Sequence, residues 1–376
     1  MAPPRRRTSR RSPALFALVM AGGSGTRFWP ASREALPKQF LKLLGARTLL
    51  EETVRRLRGL VPLERTLVGT GEAHGERVRA LLPGLPRENI LLEPAGRNTA
   101  PCIGLAALHV KSREPEGVLA AMPSDHFVAE APPFRRALRA GALAAAAEDL
   151  LVTVGLSPTR PETGYGYIRK GASLGARGGQ EVFAVSRFTE KPDRACARRY
   201  LRSGRYLWNA GIFVARAERF LQEIGRHLPA LSRELERIAR VLGSAREREG
   251  LRRAFARIAP VSFDYGVMER AQRVAVVPAR VRWSDVGSWS ALRDPALGGL
   301  DGEGNLWLLP AGSRREAAGT RRTIVASSKP LVVALGVSDL VVVEAEDVLL
   351  LCHAERAQQV GDVVRALRAK GLRRFL

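Results

Sequence analysis

A glycine-rich loop follows the first apolar run of the chain. The run Leu15–Met20 leads directly into the sequence AGGSGTR. Glycine permits positive φ angles, and without a Cβ atom it lets backbone N–H groups approach phosphate oxygens. Open α/β sheets bind ligands at the carboxyl ends of their strands, which is where this loop would lie. The pattern predicts a phosphate-binding loop made of Ala21, Gly22, Gly23, Ser24, Gly25 and Thr26.

Two cations accompany the loop. Arg27 follows it directly and Lys38 comes behind Pro37, in a chain with seven lysines in all. An arginine fork and a lysine point charge would neutralise a polyphosphate. The loop is not a P-loop, because no lysine follows Gly25, and not a dinucleotide fingerprint, because Phe28 replaces its last glycine. For the glycines alone, a tight turn that needs them only for its shape is the alternative.

Two aspartates occupy positions where carboxylates could hold a cation. Asp125 lies in the sequence PSDH after the apolar run 117–122, and Asp285 lies in WSDVG after a short strand-like stretch. Taken singly, either aspartate could instead be a helix N-cap or a turn former.

The elements that would position these residues are typical of an α/β fold. Apolar runs alternate with helical patterns over roughly the first 290 residues, which predicts a sheet covered by helices. The predicted strands are 15–20, 66–69, 117–122, 151–155, 181–188, 208–215 and 274–278. The predicted helices are 48–60, 99–112, 133–149, 193–203, 230–242 and 247–257.

The last part of the chain has a different pattern. Residues 292–320, rich in Gly, Asp, Asn and Pro, are typical of a linker. Four short predicted strands follow at 323–327, 331–335, 339–344 and 347–352, and an amphipathic helix spans 355–370. We therefore expect a basic disordered tail (1–12), a large α/β domain (13–292) and a small C-terminal domain (293–376) whose strands could stack as a β-coil.

The composition is that of a globular protein. Hydrophobic residues make up 45% and charged residues 26%, and no apolar run approaches the ~20 residues of a membrane span. Cys102, Cys196 and Cys352 lack CxxC spacing, which argues against a disulfide framework or a zinc site and favours a cytoplasmic location. The net charge of +24 indicates a basic surface, with an affinity for polyanions as the alternative. Residues 1–12 contain five arginines and no secretion signal.

Eight segments together resemble the sugar-nucleotide pyrophosphorylases, which are nucleotidyltransferases acting on sugar 1-phosphates. They occur in the family's order: GGSGTRFWPASREALPKQF (22–40), LEPAGRNTAP (92–101), PSDHFV (123–128), PETGYGYI (161–168), FTEKPD (188–193), LWNAGIFV (207–214), FDYGVMER (263–270) and WSDVGSW (283–289). The likeness is strongest to members that use GTP and mannose 1-phosphate. It implies a Rossmann-like, glycosyltransferase-A-type catalytic domain with a mixed sheet covered by helices, plus a small β-rich C-terminal domain.

The resemblance also implies a reaction, in which GMP passes from GTP to α-D-mannose 1-phosphate and yields GDP-mannose and pyrophosphate. Asp125 and Asp285 would then hold Mg²⁺, which prefers oxygen ligands and retains several waters. Lys191 would meet the sugar phosphate. Because the attacking phosphate is already ionised, His126 would serve a structural role rather than act as a base. The expected catalytic cations are Arg27, Lys38 and Lys191.

The same resemblance assigns the rest of the site. The sugar pocket would comprise Gly164, Tyr165, Gly166, Glu190 and Asn209. The nucleotide would contact Asp125 and border Arg97, Asn98 and Thr99, although Asn98 or Thr99 could simply cap the helix that begins there.

Two other functions stay open. The same chemistry could use glucose 1-phosphate with UTP or TTP, or the basic charge could serve nucleic-acid binding, for which no helix-turn-helix or RNP-like aromatic pair is found. The expected partners are GTP, mannose 1-phosphate, GDP-mannose and pyrophosphate, with no membrane and no specific nucleic acid, and a homodimer stays open. Larger family members append an isomerase domain, for which this sequence is too short, so we expect no isomerase activity.

Overall fold

A computed structural model describes residues 14–376 and shows, within that range, one large mixed sheet of nine strands. The predicted tail at 1–12 lies outside the described residues. Up to residue 284 the strands are β1 (Leu15–Met20), β2 (Thr66–Gly71), β3 (Ile90–Glu93), β4 (Val118–Pro123), β5 (Phe127–Val128), β6 (Leu151–Leu156), β7 (Tyr167–Arg177), β8 (Gln180–Thr189), β9 (Tyr206–Arg216), β10 (Val274–Ala279) and β11 (Trp283–Ser284). The large sheet has the order β3-β2-β1-β4-β9-β6-β10-β8-β7, and β5 pairs separately with β11.

Helices cover both faces of this sheet. They are α1 (Leu49–Leu57), α2 (Gly75–Leu81), α3 (Thr99–Arg113), α4 (Ala131–Glu148), α5 (Arg194–Ser203), α6 (Ala217–His227), α7 (Pro229–Ala239) and α8 (Glu247–Arg257). One face packs against α1 and α4, and the other against α3, α6, α7 and α8. Strand β1 is therefore apolar throughout (LFALVM) rather than alternating, because both of its faces are covered. This architecture confirms the predicted fold class.

Four neighbouring parallel strands position one group of candidate functional residues. Strands β3, β2, β1 and β4 are neighbours in that order and end at the same edge of the sheet. Gly22 follows β1, Glu93 ends β3, and Asp125 follows β4. Neighbouring strands lie about 4.8 Å apart, so these three residues are spread along one edge.

Strands β7, β8 and β9 position a second group of candidate functional residues. Tyr167 in β7 pairs with Thr189 of β8 and also with Trp208 of β9. The residues next to this triple pairing are Gly166, Glu190 and Asn209. Three segments that are distant in sequence therefore meet at one point.

The C-terminal part winds between two small sheets. Its elements are β12 (Leu306–Leu308), β13 (Arg314–Ala318), β14 (Ile324–Ala326), β15 (Leu331–Leu335), β16 (Leu340–Ala345), β17 (Val348–His353) and α9 (Val360–Ala369). The two sheets have the strand orders β12-β14-β16-β17 and β13-β15, and successive strands from β12 to β16 alternate between them. The pairs β12–β14, β14–β16 and β13–β15 are parallel, as in a β-coil, whereas β17 is antiparallel to β16. The predicted linker 292–320 is wrong in part, since it contains β12 and β13. A 3₁₀ turn, Ala354–Gln359, precedes α9 where one continuous helix was predicted.

Over residues 14–376, we find no helix with both the length and the apolar character needed to cross a membrane.

Candidate active site

The predicted phosphate-binding loop is held at both ends. Ala21 directly follows β1, and its carbonyl accepts hydrogen bonds from Gln39 Nε2 at 2.8 Å and Thr70 Oγ1 at 3.1 Å. Gly25 has a φ of +60°, and a Cβ atom there would lie 2.3 Å from the Cβ of Lys38. Both the backbone conformation and the packing of Lys38 therefore require glycine at this position.

Between these anchors the loop is open. Gly22, Gly23 and Ser24 are exposed, and Thr26 is half-buried. The backbone N–H groups of Gly22, Gly23 and Ser24 donate to no other residue within 14–376. A row of free backbone donors at the carboxyl end of a strand is suited to phosphate oxygens.

The two aspartates are brought together by a short ladder. In the antiparallel pair of β5 and β11, Ser284 lies opposite Phe127. Continuing that register by one residue sets Asp285 opposite His126 and beside Asp125. The ladder therefore joins two carboxylates that are far apart in the sequence.

Lys38 lies between the two aspartates. Its ammonium donates to Asp125 Oδ2 and to the backbone carbonyl of Asp285, each at 2.9 Å, and the residue is almost fully buried. Burial alone would raise the pKa of Asp125, but the Lys38 charge, the neighbouring His126 and the hydrogen bonds to the carboxylate together outweigh it and hold that pKa below its usual value. Burial lowers the pKa of His126, which favours the neutral imidazole and agrees with a structural role.

Asp285 is oriented by its neighbours. The Tyr165 hydroxyl donates to Asp285 Oδ1 at 2.8 Å, and burial together with this carboxylate raises the pKa of Tyr165. Val286 has a φ of +47°, which is strained for a β-branched residue. A Cβ atom on Gly287 would lie 2.7 Å from Asp285 Oδ2, so a side chain at that position would displace the carboxylate.

The predicted sugar pocket forms one cluster. A Cβ atom on Gly166 would lie 2.3 Å from Glu190 Oε2 and 3.1 Å from the Cβ of Asn209. Lys191 has a φ of +46°, and its ammonium pairs with Glu190 Oε1 at 2.6 Å. Burial alone would lower the pKa of Lys191, but the contact with Glu190 raises it, so the ammonium is charged. Gly164 is exposed at the same rim.

Asp264 belongs to this cluster and was not predicted from the sequence. It begins a π-helical turn, Asp264–Met268, and its Oδ1 accepts from Asn209 Nδ2 at 2.7 Å. Asn209 Oδ1 accepts from Thr153 Oγ1 and the Gly211 N–H. These contacts fix the amide of Asn209 and leave it one N–H for a ligand. Burial raises the pKa of Asp264.

The RNTAP segment has structural contacts. Arg97 Nε donates to the Phe255 carbonyl at 2.9 Å, and Thr99 Oγ1 accepts from the Phe263 N–H at 2.8 Å. Asn98 caps α3 through the Thr99 N–H. The capping alternative is confirmed for Asn98, and contact of the three residues with a nucleotide stays a prediction.

Glu93 is the second residue that sequence reasoning missed. It is 5% exposed, and no residue described within 14–376 bonds its Oε1. Its Oε2 lies 3.5 Å from where a Cβ atom on Gly22 would be. Burial raises its pKa to about 7, although the Cys102 thiol hydrogen-bonds it. The available signal was an acidic residue ending the apolar run ILLE.

A cleft of about 1090 Å³ opens beside Asp285. Five of the predicted site residues line it: Arg27, Gly164, Tyr165, Lys191 and Asp285. The other predicted site residues lie outside its lining; they are residues 21–26 of the loop, Lys38, Arg97, Asn98, Thr99, Asp125, Gly166, Glu190 and Asn209.

Asp125 and Asp285 fit a hard divalent cation. Their donors are oxygens, and the Asp125 carboxylate already pairs with one cation, the Lys38 ammonium at 2.9 Å. In the described part of the chain, no group of three or more His, Cys, Asp or Glu side chains converges as a metal site. Two protein carboxylates suffice only for an ion that takes its remaining ligands from phosphate and water, as Mg²⁺ does.

Two family models match this chain. A family model described as nucleotidyl transferase matches residues 16–298, and one described as a MannoseP isomerase/GMP-like beta-helix domain matches residues 317–367. The chain belongs to the nucleotidyl transferase family. Members of this family generally use a divalent metal ion. The resemblance inferred from the motifs is confirmed.

Individual relatives cover nearly the whole chain. Mannose-1-phosphate guanylyltransferase of Escherichia coli strain K12 is 40% identical over 365 residues, which are 95% of this chain and 74% of the relative. The xanthan biosynthesis protein XanB of Xanthomonas campestris pv. campestris strain B100 is 40% identical over 364 residues, with the same shares. A crystal structure from Thermus thermophilus, described as mannose-1-phosphate geranyltransferase, has a TM-score of 0.83 at 39% identity and covers 94% of this chain and 99% of its own.

Proposed function

We propose that this enzyme transfers GMP from GTP to α-D-mannose 1-phosphate and releases GDP-mannose and pyrophosphate. The observation that carries the proposal is the convergence of Lys38, Asp125 and Asp285 between an open glycine loop and the cluster around Lys191. Such a site can neutralise two facing anions, which is the main obstacle to joining a sugar phosphate to a nucleoside triphosphate.

The reaction is a direct displacement. An oxygen of the sugar phosphate forms a bond to the α-phosphorus while the bond from that phosphorus to the bridging oxygen breaks, and pyrophosphate leaves. Lys191 orients the attacking phosphate, and the loop N–H groups with Arg27 hold the triphosphate. Lys38 offsets the charge that develops on the departing pyrophosphate. No base is needed, because the attacking oxygen is already ionised.

Asp125 and Asp285 would hold Mg²⁺. When bound, this ion supplies positive charge beside the phosphate oxygens and so lowers the repulsion between the substrates.

Glu93 is proposed to select guanine. Across β4, β1, β2 and β3 there are three strand spacings, so Glu93 lies roughly 14 Å from the Asp125 end of the edge, a span suited to an extended nucleotide. Guanine carries two adjacent donors, N1–H and N2–H, on its Watson–Crick edge, and an ionised carboxylate can accept both. Uracil and thymine carry acceptors on either side of their one donor. Because Glu93 Oε1 has no hydrogen-bond partner within residues 14–376, it can accept from a base that carries two donors, and this favours guanine over uracil and thymine.

The sugar-side cluster is proposed to bind the mannose hydroxyl groups. Glu190 has an unbonded, buried Oε2, and Asn209 retains one amide N–H. An acceptor and a donor are thereby presented next to Gly166, whose missing side chain lets Glu190 and Asn209 approach each other.

The decisive experiment measures pyrophosphate release. The enzyme is given four nucleoside triphosphates against mannose, glucose and N-acetylglucosamine 1-phosphates, with and without Mg²⁺. We expect the fastest release with GTP, mannose 1-phosphate and Mg²⁺ together. Faster release with UTP or TTP and glucose 1-phosphate would replace this function with the related one.

A homodimer is proposed as well. Leu331, Val333 and Leu335 of β15 are 53%, 66% and 75% exposed. Among the described strands β15 pairs with β13 alone, so its other edge is free. The strand carries no charge in a chain of net charge +24, so a second copy meets the least repulsion there. Light scattering should give twice the chain mass, and the Val333→Glu variant should be monomeric; a monomeric parent would contradict the proposal.

The free thiols of Cys102, Cys196 and Cys352 support a cytoplasmic location, which also stays a proposal.

A further inference from the structure

The C-terminal part shares a core with two segments of the active site. Phe28 and Trp29 follow the phosphate-binding loop, and Val286 and Trp289 follow Asp285. All four belong to one buried cluster with residues of the C-terminal part, which include Ile324, Val341, Val343, Leu350, Ala354, Ala357, Val360 and Val364. The two segments are therefore packed on the C-terminal part and not on the large sheet alone.

The shared core holds a strained turn. Val286 is fully buried with a φ of +47° and follows Asp285 directly. A residue keeps such a conformation only when its surroundings fix it. Trp289 lies 5.1 Å from the Phe28 ring and donates through Nε1 to the Trp29 carbonyl at 3.1 Å, which ties the Asp285 segment to the loop segment.

Two residues of the C-terminal part reach the site itself. A Cβ atom on Gly361, in the first turn of α9, would lie 3.6 Å from Thr26 Oγ1 and 3.8 Å from Arg27 Cγ. Gln358 lines the cleft together with Arg27, and its Nε2 donates to Ser288 Oγ at 3.3 Å. Ser288 is fully buried and lies three residues after Asp285.

We propose that residues 358–361, at the start of α9, are a positioning part of the active site. Gly361 fixes the position of Arg27, and Gln358 fixes the segment that carries Asp285. The triphosphate therefore contacts Arg27 and the Asp285 segment at a fixed separation. This rests on the proposed function, in which Arg27 holds the triphosphate. Gly361 and Gln358 are positioning residues, since they act through Arg27 and Ser288.

If the C-terminal part only stabilised the fold, its variants would give kinetic results different from those expected of a positioning role. A C-terminal part that only stabilises the fold would, when altered, lower the melting temperature and the active fraction, while the folded enzyme kept its KM for GTP. A positioning role changes the KM for GTP and leaves that for mannose 1-phosphate unchanged, because Arg27 belongs to the nucleotide side.

The test is a graded series at one position. In Gly361→Ala the added Cβ lies at ordinary contact distances, so kinetics like the parent's are expected. In Gly361→Val the branched side chain displaces Arg27, and a displacement of about 1 Å can lower kcat/KM for GTP by about 100-fold. Val363→Ala is the matched control, because Val363 is 43% exposed on the same helix. Melting temperature and calorimetric GTP binding are measured for each variant.

The outcomes are separable. A Gly361→Val enzyme that is folded and has the parent's KM for GTP overturns the proposal. If that variant does not fold, Gln358→Ala decides: a rise of about two- to tenfold in the KM for GTP at an unchanged melting temperature supports the proposal, and an unchanged KM overturns it. Absence of pyrophosphate release by the parent enzyme would instead refute the proposed function.

Discussion

The Glu93→Gln substitution tests the most unusual charge in the molecule. Glu93 is 5% exposed, and within residues 14–376 no cation pairs with it. Burial raises its pKa from 4.5 to about 7, and the Cys102 thiol is its one hydrogen-bond donor in that part of the chain. Glutamine keeps nearly the same shape and removes the ionisable group.

The expected magnitude follows from the pKa. At 1.36 kcal/mol for each pKa unit, the change from 4.5 to about 7 means that ionised Glu93 lowers the free energy of unfolding by about 3 kcal/mol. Between these pH values the native state holds the proton and the unfolded state does not. The destabilisation is therefore absent below pH 4.5, grows through this range, and is complete above pH 7.

Urea unfolding at pH 5 and pH 8 measures the effect. We expect the advantage of Glu93→Gln over the parent to be about 2–3 kcal/mol larger at pH 8 than at pH 5, because the glutamine has no charge to bury. Glu88→Gln is the control, since Glu88 is exposed on the turn before β3. An equal advantage at both pH values would refute the argument.

The same variant tests the selection of guanine. Inosine triphosphate lacks the N2 amino group, so the parent should prefer GTP over ITP by about 10- to 150-fold, the worth of one hydrogen bond of about 1.5–3 kcal/mol to a charged group. Glu93→Gln should reduce that preference to a few-fold. Guanine donors favour the ionised carboxylate, so the parent's KM for GTP should also fall as the pH rises from 6 to 8. A glutamine variant that still rejects ITP would exclude Glu93 as the selecting residue.

Three further predictions concern the rest of the site and the core. Asp125→Ala and Lys191→Ala should each lower pyrophosphate release by at least about 100-fold while circular dichroism stays unchanged, and turnover near the parent's would contradict their roles. Gly166→Ala should raise the KM for mannose 1-phosphate about tenfold and leave that for GTP unaltered, because the new Cβ lies 2.3 Å from Glu190 Oε2; equal changes in both constants would point to a general disturbance. Glu223→Ala should lower the free energy of unfolding by about 3–5 kcal/mol, because it leaves the buried guanidinium of Arg219 without its 3.0 Å partner, and a loss below 1 kcal/mol in urea would contradict this.

Much of the site could be predicted because its residues follow strands. The runs before Gly22 and Asp125 are apolar on both faces, so β1 and β4 were recognisable, and parallel neighbours end at one edge. The glycines and lysines in the segments that follow these strands then indicated a phosphate-containing ligand. The same reasoning placed Lys191 and Asp285 in turns after strands, as the structure has them.

The residues that were missed depend on contacts between distant segments. Asp264 joins the cluster through its contact with Asn209, which lies 55 residues earlier in the chain. The strands β12 and β13 are short and lie in a segment rich in turn residues, so periodicity could not reveal them. They form because β12 pairs with β14 and β13 with β15, which are strands that come later in the chain.

The position of Lys38 changes the explanation of the loop that first suggested phosphate. Gly25 looked like a residue needed for access to the ligand, yet a side chain there would collide with the Cβ and backbone of Lys38. That close approach directs the ammonium to the Asp125 carboxylate and the Asp285 carbonyl, where it balances the buried charge of Asp125. The glycine therefore acts partly through the lysine, and the loop and the cation that follows it form one structural unit.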